Sequence, residues 1–348
     1  MMTEKQIYNC HTHIFTHRHV PNRYLSLMGM PLIPVLRHRF LRRRLPRYLQ
    51  MVIFWSRSDF LNRVAAFYHA AMFDRQEDCY CELASFYPPK TRFVVLPMDL
   101  AYMGAGTPLV NIDRQHEELA ALAKVFPEII PFAHIDPRRP DALRRLRTLV
   151  EEHGFKGVKI YPPLGYDPND RVLMTEIYPY MVRNGLPLMS HCSQGGVATK
   201  DEAAESARLR THPDRYRHVM DRFPLLRVCL GHFGGIRQWT LYFDDPTKRE
   251  LTWQARIRSL IKEEGYTNLY TDISYTVFHF QDNVPLLKIF LEDPDLAPRI
   301  LFGSDYYMAY NERFSEKRLS IDLRAALGER LFWKIANDNP RRYLGIDE

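Results

Sequence analysis

Short apolar runs recur along the chain, and most are apolar straight through their centres instead of alternating with polar residues. Eight of them read as strands: residues 6–13, 92–100, 129–137, 157–162, 187–192, 227–234, 269–274 and 300–306. Strands buried on both faces look like this, as in a parallel sheet covered by helices. Between the runs the spacing of apolar residues becomes helical. Residues 59–84 carry Phe60, Leu61, Val64, Phe67, Tyr68 and Ala71 at helical intervals. Residues 113–126 follow the cap-like Asn111 and place Leu119, Leu122 and Val125 on one stripe. Residues 141–153 carry Leu143, Leu146, Leu149 and Val150, with Gly154 as the stop. Further helices are predicted over 172–184, 213–223, 246–264, 283–292 and 321–337. Strand and helix thus alternate eight times, which predicts an α/β fold, a (β/α)8 TIM barrel in one domain over residues 1–348. An open doubly wound sheet is the competitor, but no Gly-x-Gly-x-x-Gly turn follows the first strand.

Residues 14–58 break the alternation. This long insertion after strand one holds Pro21, Pro31, Pro34 and Pro46. In a barrel it would lie on the catalytic face, as a lid or a dimer contact. The loops 195–211 and 235–245 fall on the same face.

Composition sharpens this only in part. The chain is 46% hydrophobic and 26% charged, which suits a large buried core. No apolar run approaches the ~20 residues needed to span a bilayer. The start of the chain leaves no room for a signal peptide, so a cytoplasmic location is expected. The five scattered cysteines (Cys10, Cys79, Cys81, Cys192, Cys229) fit a reducing compartment better than a disulfide framework. The formal charge of +7 owes much to the arginine-rich stretch 37–47. That stretch admits a non-catalytic reading, a barrel that binds nucleic acid or another anionic surface. A solvated helix face explains it more simply, and zinc-finger and RNP-like motifs are absent. Neither nucleic acid nor a membrane is expected as a partner.

The chemistry gathers at the ends of the predicted strands. Strand one ends in His11 and His13, whose i, i+2 spacing points both side chains the same way. Such a pair can grip one metal ion, although two ordinary hydrogen-bonded histidines would look the same. Strand four carries Lys159, strand five ends at His191, strand six at His232 and strand eight at Asp305. In a parallel barrel these ends meet at one mouth. Polar groups recurring at that one register are hard to produce by chance.

His11-Thr12-His13, Gly154-Phe155-Lys156-Gly157-Val158-Lys159, Ser190-His191, Gly231-His232-Phe233-Gly234-Gly235, Gly303-Ser304-Asp305 and the closing Asn339-Pro340-Arg341-Arg342-Tyr343-Leu344-Gly345 together resemble the amidohydrolase superfamily. Within it they resemble the amidohydrolase-2 branch, which includes aminocarboxymuconate-semialdehyde decarboxylase. The resemblance implies that His11, His13, His191 and Asp305 bind a divalent metal. Three nitrogens and a carboxylate suit zinc, with manganese as the alternative. It implies that His232 is the general acid/base or oxyanion stabiliser, and that Asp305 doubles as ligand and base. A strand-four lysine in the wider superfamily is carbamylated and bridges two metals. Lys159 could do so, or could bind an acidic substrate, while many members of the branch work with one metal.

Two enzymatic readings follow. In the first, metal-activated water attacks an ester, lactone or amide carbon of a small, acidic substrate. In the second, the same scaffold is a metal-dependent decarboxylase of an aromatic or muconate-type acid. Tyr161, Arg237 and His279 are weaker substrate-binding candidates, with His134, Trp239, Tyr306 and Tyr307 behind them. Strand alternation predicts that Cys10 and Cys192 turn away from the ligands, as small core residues. No Gly-x-Ser-x-Gly elbow and no Walker loop appears. A homodimer would suit the insertion.

Overall fold

Continuous apolarity does correspond to strands buried on both faces. The structure, a computed structural model, describes residues 5–24, 26–27, 30–31, 68–262, 265–312 and 314–346. The arginine-rich stretch 37–47, most of the insertion and the first part of the predicted helix 59–84 lie outside the described residues.

Eight parallel strands run in sequential order: β1 (Tyr8–Thr12), β2 (Arg92–Val95), β3 (Ile129–His134), β4 (Gly157–Ile160), β5 (Leu188–Ser190), β6 (Val228–Leu230), β7 (Leu269–Asp272) and β8 (Ile300–Leu301). The chain segment at β8 returns to β1 and closes the ring. Cys10 N–H donates to Phe302 O (2.9 Å), Asp305 N–H to His11 O (2.8 Å) and His13 N–H to Tyr306 O (2.7 Å). The fold is therefore the TIM barrel expected from the alternation.

Helices α1 (Gln76–Ala84), α2 (Ile112–Val125), α3 (Ala142–Glu151), α4 (Tyr178–Arg183), α5 (Ala204–Leu209), α6 (Arg217–Arg222), α7 (Ile236–Asp244), α8 (Trp253–Lys262), α9 (Phe280–Glu292), α10 (Glu316–Trp333) and α11 (Asn339–Leu344) cover the strands. Asn111 caps α2 as its position suggested, accepting from Arg114 N–H at 2.9 Å. Leu119 of α2 is fully buried, a gain of about 2 kcal/mol by area, whereas Val125 is left 67% exposed. The short helices α5 and α7 lie in segments read as loops. Each holds a buried residue, Ala207 in α5 and Trp239 in α7, which anchors it.

The core has two layers. The larger lies between strands and helices, and includes Val95, Ile160, Leu188, Leu230 and Leu287. The smaller fills the barrel, with Tyr8, Val94, Ile130, Phe132, Tyr270 and Tyr343. Cys10 belongs to this inner layer beside Cys229, a small core residue as expected, although strict alternation would set it on the face opposite the ligands. The β1–β2 register is irregular between Asn9 and Thr12, and this breaks the alternation on which that expectation rested. Cys192 does face outward, its thiol near Thr211 O at 3.3 Å. All five cysteines are free thiols. No described helix is long and apolar enough to cross a membrane.

Candidate active site

At the end of β1, burial and neighbours decide the state of each histidine. His11 is fully buried, which lowers its pKa to about 3 despite the nearby Asp272 carboxylate. The neutral ring donates from Nδ1 to Asp272 Oδ2 at 2.9 Å, so Nε2 presents its lone pair. That nitrogen lies 3.5 Å from Lys159 Nζ and 3.7 Å from Asp305 Oδ1. Two glycines make room for the ring. A Cβ at Gly303 would stand 2.9 Å from His11 Cβ, and one at Gly231 3.1 Å from His11 Cε1. His13 is held the same way, because Nδ1 can only donate to the Leu96 carbonyl at 2.8 Å. Its Nε2 then faces Asp305 Oδ1 at 3.1 Å.

Asp305 stands in the left-handed region at φ 63°, which an Asp tolerates better than most residues. Burial works against its ionised form, but the His13 contact and the nearby His232 and His11 hold its pKa below the usual range. Once the proton between His13 and Asp305 is displaced, three acceptors converge: two imidazole lone pairs and a carboxylate oxygen. They form one compact set, His11–His13–Asp305, with ligand atoms within 4.8 Å of one another. Like acceptors repel unless a cation sits between them, and this donor set fits a divalent metal.

The other half of the mouth is built differently. His232 follows β6 in a run of left-handed residues, His232 (φ 67°), Phe233 (φ 45°), Gly234 (φ 82°) and Gly235 (φ 86°). That turn ends the strand earlier than its apolar run suggested and swings the ring inward. His232 Nε2 lies 3.0 Å from His191 Nδ1. His191 Nε2 can only donate to the Gly195 carbonyl at 3.2 Å, so its Nδ1 accepts from His232. His232 Nδ1 faces the Ser274 hydroxyl at 2.9 Å. Burial holds both imidazoles below the usual histidine range. His191 stacks on Tyr161 with ring centroids 4.3 Å apart. It is not part of the compact set around Asp305.

Asp272, at the end of β7, was not singled out in the sequence. It is wholly buried, and it accepts from His11 Nδ1, from His232 N–H at 3.1 Å and from Ser274 N–H at 2.9 Å. Burial alone would raise its pKa, but the paired His11 outweighs it and keeps the carboxylate ionised. An acid at the inward register of an apolar strand was the available signal. Lys159 is also wholly buried, and burial lowers its pKa to about 8. Among the described residues the only hydrogen-bond partner of its Nζ is His11 Nε2.

A cavity of about 540 Å³ opens over this centre, within the size range of small-molecule sites. Tyr161 and Arg237 line it, with Phe15, Tyr24, Met98 and Met308. His279 does not. It is exposed and pairs with Glu312 at 3.1 Å. Trp239 and Tyr307 serve packing, donating to Phe233 O and Phe15 O, and Tyr306 donates to Glu82. His134 is buried with Nδ1 on Pro97 O at 3.1 Å.

The amidohydrolase family model, of the amidohydrolase-2 type, matches residues 9–346. No curated protein matches the chain. Among solved structures, an uncharacterised TIM-barrel protein from Bordetella bronchiseptica is 18% identical with a TM-score of 0.57, covering 98% of both chains. The 4-oxalomesaconate hydratase of Rhodopseudomonas palustris is 17% identical with a TM-score of 0.56, covering 98% of this chain and 97% of its own. The 5-carboxyvanillate decarboxylase of Sphingomonas paucimobilis is 14% identical with a TM-score of 0.58, covering 98% and 99%. At such identities these three share the fold with this chain.

Proposed function

The chain belongs to the amidohydrolase family, and we propose that it is a metal-dependent hydrolase of a small acidic ester, lactone or amide. The observation that carries this reading is the convergence of His11 Nε2, His13 Nε2 and Asp305 Oδ1, with both Nδ1 atoms already committed elsewhere. These three residues would hold one divalent ion, and His191 would join them as a fourth ligand only by exchanging its Nδ1 bond from His232 for the metal. Zinc suits the set best and manganese is the alternative. Bound there, the ion would supply Lewis acidity toward water and a substrate carbonyl.

The protein's own groups do the rest. Asp305 is ionised and faces the cavity, so it can take a proton from a water molecule attacking the substrate. His232 is neutral and lines the same cavity, placed to steer that water or to protonate the leaving group. Asp272 keeps His11 in the tautomer that leaves Nε2 free. Phe15, Met98 and Met308 keep bulk water from the reacting carbon. Lys159, whose charge balances Asp272 and Asp305, fits a one-metal centre as a positive group beneath the substrate. The five free thiols are in keeping with a reducing cytoplasmic setting.

A second reading rests on the same apolar lining, since a carboxylate moved out of water is easier to lose as CO2. The two are separated by assaying metal-loaded protein on lactones and esters beside aromatic and muconate-type acids. Ring or ester opening is expected. CO2 release with no hydrolysis of any test compound would overturn the first reading in favour of the second.

A further inference from the structure

His11 and His13 are oriented by unlike partners. His11 donates to Asp272, a carboxylate that two backbone N–H groups hold in place. His13 donates to the Leu96 carbonyl, which lies past the end of β2 at Val95. Beyond a strand's end no ladder fixes the direction of a carbonyl, so other groups must. Among the described residues, the only backbone–backbone hydrogen bond within 96–98 runs from Leu96 N–H to Thr12 O at 2.9 Å.

Side chains from elsewhere hold the rest of this segment. His134, at the end of β3, donates from Nδ1 to Pro97 O at 3.1 Å. Gln115, on α2, accepts from Met98 N–H at 2.8 Å. Arg139 donates to Asp99 Oδ1 at 2.7 Å. His134 is itself anchored, because its N–H donates to His116 Nε2 at 3.0 Å, one residue along α2 from Gln115. Gln115, His116 and His134 are all buried, and burial holds both imidazoles below the usual histidine range. Three polar side chains thus lie between a helix and the barrel wall, where apolar residues are the rule. Packing alone does not account for them. Pro97 O can only accept, so His134 Nε2 carries a lone pair, and that atom is buried without a hydrogen-bond partner. A leucine in its place would leave no such atom unpaired. What the imidazole supplies is its bond to the segment that carries the Leu96 carbonyl.

We propose that His134 is a positioning residue for His13: by fixing the Pro97 carbonyl it aims the adjoining Leu96 carbonyl at His13 Nδ1, and so holds the His13 ring with Nε2 toward Asp305. This rests on the proposed function and deepens it, since it names a residue that touches neither ion nor substrate yet sets the affinity for the metal. Gln115 and His116 are the supports through which α2 braces this arrangement.

The test is zinc affinity, measured by competition with a chromophoric chelator, in wild type, H134L and H134N. Leucine fills the space of the imidazole without its donor, and asparagine keeps an N–H close to the place of Nδ1. H134L is expected to bind zinc about tenfold more weakly, and H134N to come back to within about threefold of wild type. A purely structural His134 would lower thermal melting in H134L and leave its zinc affinity as in wild type, which overturns the proposal. An H134N as weak as H134L overturns it too. Should H134L not fold, nitrogen NMR of histidine-labelled, metal-free protein decides. The His134 signal, identified by its loss in H134N, is expected to show a proton on Nδ1 and none on Nε2. The opposite tautomer cannot donate to Pro97 and overturns the proposal. A wild type that binds no zinc defeats the proposed function instead, and the His134 tautomer then still decides whether the clasp on Pro97 exists.

Discussion

The two halves of the barrel mouth hold their histidines in opposite ways. On the β1–β8 side, His11 and His13 each spend Nδ1 on an acceptor that cannot donate, the Asp272 carboxylate and the Leu96 carbonyl. Their outer nitrogens are left facing Asp305. On the β5–β6 side, His191 and His232 spend their nitrogens on each other, 3.0 Å apart, and on Gly195 and Ser274. The first half presents the acceptors that the proposed metal centre requires. The second is a hydrogen-bonded chain suited to holding or passing a proton. Having the same residue type at the same register does not give the same role; the partner of Nδ1 decides it.

The largest effect should come from breaking the gripping half. H13A and D305A are each expected to strip the metal, read by elemental analysis, and to lower kcat/KM by about a thousandfold or more, ~4 kcal/mol in the transition state. Full metal content in both variants would remove the distinction between the halves. H232A is the counterpart in the other half. It should keep its metal while turnover falls by about a hundredfold to ten-thousandfold. H191A sharpens the boundary: metal loss like that of H13A would join His191 to the gripping half, and retention would leave it with His232. D272N should act one step back, because the amide can present its NH2 to His11 and disturb the tautomer. Metal affinity should then fall by about ten- to a hundredfold, with the fold intact.

The smallest effect on activity is expected outside both halves, at Glu316. This carboxyl is buried, accepts from Tyr87 OH at 2.5 Å, and burial raises its pKa from 4.5 to about 7. A raised acid binds its proton more tightly in the folded state. Its contribution is therefore fully present below pH 4.5 and is lost as pH rises through about 7. The loss should be on the order of 3 kcal/mol. E316Q should flatten the stability profile across that window, measured by denaturant unfolding. An unchanged slope would place the titration on another group.

Much of this site was legible at the strand ends. His11, His13, His232 and Asp305 sit at the register where barrel chemistry collects, and the structure brings all four together. Asp272 was not legible, because an acid closing an apolar strand reads as a strand terminus until the ring it serves is known. Cys10 went the wrong way because a register irregularity between Asn9 and Thr12 cancels strict alternation. His279 was a loop residue with nothing to place it, and it pairs with Glu312 outside the cavity.

What the sequence by itself determined was the architecture and the strand ends at which the candidate residues stand. Apolar period and chain order are local properties, and eight repeats of one unit leave few ways to close. What only the tertiary structure decided was the state of each group. His11 is neutral with Nε2 unprotonated because it is buried and donates its Nδ1–H to Asp272, far along the chain. His191 presents Nδ1 to His232 because its Nε2 proton goes to the Gly195 carbonyl. Tautomer, charge and ring direction depend on burial and on partners from other strands, and no spacing within one strand encodes them.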